Sequence, residues 1–209
     1  MNSTVQIMRP KNVTFMSRGA TLTVCVVAMV AVWFGGCGVR GNLAVHSMEH
    51  GGMLSPKFTT IAYAPRGVES ADLYLTDLSP AELDPGTPLD SITGHLIHIH
   101  VFLIPKAGKT PIDRNASNVT VRHIVFVRGA IGMYAGGGFL LTQGRPGDDT
   151  FGGSMRDATL KIVDMSPTFH DALGAGSMRG VVLAPLDEGA ASRIASRLDD
   201  VIARLRHGR

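Results

Sequence analysis

The sequence predicts a mostly-β domain: an antiparallel β-sandwich or curved sheet of about seven or eight strands, with a C-terminal amphipathic helix packed on it. Three observations predict it. Residues 57–186 hold short runs of β-branched and aromatic residues, separated by clusters of Gly, Pro, Asp and Ser. A helical stripe closes the chain, where Ala191, Ile194, Leu198, Val201, Ile202 and Leu205 recur at spacings of three and four. The longest apolar run after the N-terminus, residues 94–105, alternates like a central strand, with Ile97, Ile99, Val101 and Leu103 on one parity.

The elements follow in order. Residues 58–64 have strand composition and stop at Pro65. Residues 71–78 alternate, with Leu73 and Leu75 on one face. Pro80, Pro85, Gly86 and Pro88 mark a loop, with one helical turn capped by Ser79. Residues 118–128 form a second core strand on the parity of Val119, Val121 and Val125. Gly136 to Gly138 are expected to break the next segment into two short strands with a bend or bulge. Residues 143–156 read as an exposed loop, 158–163 and 178–184 as strands, and Ser166-Pro167 as the start of a helical turn. Asp187 can cap the helix, 187–206, which turns Arg193, Arg197, Asp200 and Arg204 to water.

The first 37 residues contain no Asp or Glu. Arg9, Lys11 and Arg18 precede an apolar stretch, 21–34, which is the order of a secretory signal. Initiation at Met16 gives a shorter basic segment and is an alternative to Met1. The stretch ends in Phe34-Gly-Gly-Cys37-Gly, which resembles the lipobox of bacterial lipoproteins. The resemblance implies cleavage before Cys37, lipidation of that residue and retention on the exported side of the cell envelope. The alternative is an uncleaved transmembrane helix over residues 20–39, long enough to cross roughly 30 Å of hydrocarbon. The expected organisation is a signal or anchor at 1–36, a flexible tether at 37–56 and one globular domain at 57–209.

Charge and cysteine usage exclude several classes. Three of the 20 Lys and Arg precede Cys37 and all 17 Asp and Glu follow it, so the exported part is formally neutral. A basic nucleic-acid surface is not supported, and the expected partner is the membrane, through lipid or helix. Both cysteines, Cys25 and Cys37, lie in the N-terminal segment, so the domain has no disulfide. Sequons at Asn2, Asn12, Asn115 and Asn118 are set aside as chance triplets, because the lipobox points to a bacterium.

Two groups of side chains could hold a metal, copper or zinc. His46, Met48, His50 and Met53 place imidazoles and thioethers within eight residues, the donor set that selects Cu(I). His98 and His100 share one face of the central strand, with β-carbons roughly 7 Å apart. A third ligand is lacking: His95 and His123 fall on the opposite parity, and only a bulge would bring His123 round. The bland reading makes these a hydrogen-bonded histidine pair and an ordinary linker. No Gly-x-Ser-x-Gly occurs, Gly108-Lys-Thr lacks the Walker spacing, and the glycines at 174–180 miss the dinucleotide fingerprint. The expected function is therefore a membrane-tethered lipoprotein with a non-enzymatic structural or binding domain and no cofactor. A metal-binding envelope protein is the alternative, and an extracellular hydrolase comes third.

Overall fold

The computed structural model describes residues 40–105 and 116–207. The segment expected to be a signal, Cys37 and most of the connection after residue 105 lie outside them. Among the described residues eleven strands form one antiparallel sheet. They are β1 (Arg40–Gly41), β2 (Ala44–Ser47), β3 (Met53–Leu54), β4 (Thr60–Pro65), β5 (Ala71–Thr76), β6 (Gly94–Val101), β7 (Val119–Val127), β8 (Ala130–Gly138), β9 (Leu140–Gln143), β10 (Thr150–Met165) and β11 (Gly176–Pro185). One helix, α1 (Glu188–His207), follows. The path runs β3-β2-β11-β10-β8-β7-β6-β5-β4, with β1 beside β11 and β9 beside β10. Of the two arrangements expected, this is the curved sheet: a curled half-barrel with α1 packed on it. The curl brings β4 round to the end of β11, where Tyr63 bridges to Leu186.

Alternation sorts the side chains into two cores. The concave face buries Leu73, Leu75, Ile97, Ile99, Val121, Tyr134, Phe151 and Leu160. The convex face buries Ala62, Tyr74, Leu96, Ile124 and Phe126 beneath Ile194, Leu198, Val201 and Leu205 of α1. The stripe predicted for the helix is the face it buries. Asp187 caps it, its Oδ1 accepting from the Ala190 N–H at 2.8 Å. Ser79 and Glu82 form a reciprocal capping box: Ser79 N–H donates to Glu82 Oε2 at 2.8 Å, and Glu82 N–H to Ser79 Oγ at 3.3 Å.

Four local expectations are corrected. The tether read at 37–56 is structured from Arg40 on, because β1 and β2 find a partner edge in β11. The segment does divide into two strands, β8 and β9, but the break falls at Phe139 and the glycine triplet 136–138 stays inside β8: a Cβ at Gly136 would stand 1.8 Å from Thr159 O, so glycine is what lets β8 and β10 approach. The loop read at 143–156 shrinks to a turn at 144–149, because β10 begins at Thr150 and buries Phe151 and Met155. A bulge between Met155 and Ala158 shifts the parity, so that both residues face the concave core. Arg197 does not face water. It is 1% exposed, donates to Thr87 O at 2.6 Å and lies 3.6 Å from Asp200, because the loop before β6 folds over that side of α1.

Candidate functional site

The convex ends of β5 and β6 carry the densest polar group. The strands pair with Asp72 opposite His100 and Tyr74 opposite His98, so four side chains share one patch. Asp72 Oδ1 accepts from both histidines, from His98 Nε2 at 3.0 Å and His100 Nδ1 at 2.7 Å. Its Oδ2 accepts from Arg66 Nε at 2.5 Å, across the tight turn that joins β4 to β5. Tyr74 stacks on His98, ring centroids 4.8 Å apart and planes 10° apart. Asp72 and His98 are buried, whereas His100 and Arg66 are partly open to solvent. Burial alone would raise the Asp72 pKa. Hydrogen bonds from His98, Arg66 and His100 outweigh it and hold the carboxyl well below the usual carboxylate range.

The chemistry of this group follows from the donor count. One carboxylate faces three nitrogen donors, one of them a permanent cation. A divalent ion placed between His98 and His100 would need Asp72 Oδ1, and would meet the Arg66 charge through Oδ2. Among the described residues no group of three or more His, Cys, Asp or Glu side chains is arranged to hold a metal. His100 has the orientation of a base held by a carboxylate. Among the described residues, however, no hydroxyl or thiol hydrogen-bonds to either histidine.

His123 lies where parity placed it. It pairs with Ile97, on the face opposite His98, and reaches His95: Nε2 to Nδ1 is 3.2 Å. His123 is wholly buried and its Nδ1 has no partner. Burial first, and then His95, lower its pKa to about 3. Beside it Tyr134 donates to Asp171 Oδ1 at 2.6 Å, and burial raises the Tyr134 pKa well above the ordinary phenol value.

The His/Met group sits on the β2–β3 hairpin. His46 and Met53 face each other directly. The Ser47 N–H bonds Gly52 O, which leaves His46 and Met53 as the wider-bonded pair whose side chains approach most closely. Met48 and His50 occupy the exposed loop at the tip, where Ser47 Oγ accepts from the His50 N–H at 2.8 Å. The structure thus brings His46 and Met53 together and leaves Met48 and His50 at the tip.

Asp72 and Arg66 are the members that sequence reading missed. The signal was present: Asp72 has the parity of Tyr74, opposite Leu73 and Leu75, so a charge stood on a face that strand β5 also uses for burial. Among family models, curated proteins and solved structures, none matches the chain.

Proposed function

We propose that the chain is an exported lipoprotein, held at the membrane through Cys37, whose β-domain is a non-enzymatic binding module. The observation that carries the non-enzymatic part is the saturation of Asp72. Arg66, His98 and His100 occupy both its oxygens, so the densest cluster of reactive side chains serves to join strands. Anchoring follows from the lipobox resemblance. Chain length sharpens it: three residue steps separate Cys37 from β1, a reach of about 10 Å. A lipid on Cys37 is the attachment this reading gives the domain. Among the described residues no helix is long and apolar enough to cross a membrane.

Palmitate labelling of the full chain against Cys37→Ala tests the anchor. The expected result is label and membrane retention in the first and loss of label in the second. Equal retention without label in either would replace the lipid by an uncleaved helix.

A second reading, soft-metal binding, is favoured by the His46–Met53 cross-strand pair. Competition for Cu(I) with a chromogenic chelator decides it. A stoichiometric ion lost in His46→Ala and Met53→Ala would support it, and less than half an ion per chain would remove it.

A further inference from the structure

The two-residue turn between β7 and β8 has positive φ at both positions, 48° at Arg128 and 84° at Gly129. That is the signature of a type I′ hairpin turn, whose first position normally takes Asn, Asp or Gly. Arginine pays a steric penalty there. The turn places Arg128 at the edge of a cavity of about 790 Å³, between this hairpin, the segment after β10 and the last turn of α1. The volume lies in the range of about 300–1,000 Å³ typical of sites that enclose a small organic ligand.

The lining divides into an apolar wall and a polar rim. Ile131, Phe169 and Leu205 build the wall, and it continues outward over Val127 and Met165, each 49% exposed. The rim carries Arg128, His170 and Arg204 against the single carboxylate of Asp90. Arg204 takes that carboxylate, at 3.1 Å. Among the described residues, the Arg128 and His170 side chains have no polar partner. An uncompensated cation above exposed apolar surface matches a ligand with the complementary division.

We infer that this cavity binds a small amphipathic anion, with a medium-length acyl chain against Ile131, Phe169 and Met165 and its carboxylate at Arg128 and His170. The inference deepens the reading of the domain as a binding module and gives that module a ligand class.

Photo-crosslinking in membranes that carry the full chain tests it. The probe is decanoate with a diazirine in its chain. Crosslinks are expected within residues 127–131 or 165–170, competed by plain decanoate and not by decyltrimethylammonium, which has the same chain and the opposite charge. Arg128→Lys keeps the labelling. Arg128→Asn lowers it roughly tenfold, the loss of one charge-assisted contact. Asparagine accepts the left-handed backbone, so the fold is not at stake in that variant. Labelling that maps elsewhere, equal competition by the cationic amphiphile, or unchanged labelling of Arg128→Asn would each overturn the inference. So would labelling only by a diacyl phospholipid bearing the same photogroup. Failure of the probe with Cys37 still palmitoylated removes the ligand and leaves the membrane-held module. Loss of palmitoylation with the cavity still labelled does the reverse.

Discussion

His100 Nδ1 lies 2.7 Å from Asp72 Oδ1, and that oxygen also accepts from His98 at 3.0 Å, so one buried carboxylate ties β6 to β5. Removing its charge leaves the His98 N–H buried without an anionic acceptor. Asp72→Asn keeps the shape and loses the charge, at an expected cost of about 2 kcal/mol. Urea unfolding should show a lower midpoint with an unchanged slope. A change under about 0.5 kcal/mol would mean that the three donors are equally well satisfied by water.

The same carboxylate gives the fold an acid limb. Its pKa is depressed in the folded state, so its stabilisation is present above the unfolded value of 3.8 and is lost as pH falls below it. Unfolding free energy of the wild type should therefore drop between pH 4 and pH 2. Asp72→Asn should remove this component and narrow the gap between the two proteins as pH falls. A gap of constant size would assign the acid limb to other groups.

His123, with His95 beside it also lowered by burial, contributes in a window that begins at higher pH. Its folded pKa is about 3 against an unfolded 6.5, so the unfolded chain binds the extra proton first and stability falls as pH drops from 6.5 towards 3. The ceiling is roughly 1.4 kcal/mol per pH unit for a single group. His123→Phe, which keeps an aromatic ring beside Tyr134, should flatten the curve from pH 6.5 to 4 and leave the carboxylate limb in place. In NMR spectra the His123 ring resonances should not titrate between pH 8 and 5. A His123 midpoint near 6.5 would show that water reaches the ring.

The face assignments were legible in the sequence because period-two alternation is local. Ile97 and Ile99 on one side, His98 and His100 on the other, and the displaced parity of His123 are all where alternation puts them. The α1 stripe was legible for the same reason at period 3.6. What escaped depends on pairing between distant segments. Asp72 meets His100 only through a register set across the loop that joins β5 to β6, and no local signal fixes that register. Arg197 looked solvated because the residues covering it, around Thr87, are 110 positions away. The residues after 143 looked like a loop because their glycines serve close strand approach: a Cβ at Gly152 would stand 2.0 Å from Val182 O. The cavity beside Arg128 had no sequence signature, since its walls come from a hairpin turn, a loop and a helix end.

Close approach of β8 and β10 supplies the last prediction. A methyl group at Gly136 would overlap Thr159 O, and that atom belongs to the backbone of β10, so no rotamer change relieves the clash. Gly136→Ala must push β8 and β10 apart at the centre of the sheet, near Leu160 in the concave core. The expected cost is roughly 3 kcal/mol, at the upper end for overpacking. For a domain of this size that corresponds to a fall of about 6–12 °C in melting temperature. Gly52→Ala is the matched control, because a Cβ there has nothing within 4 Å. It should stay within about 0.5 kcal/mol of the wild type. A Gly136→Ala protein that melts with the control would show that β8 and β10 are free to separate by the width of a methyl group, and would remove close approach as the reason for glycine in the middle of β8.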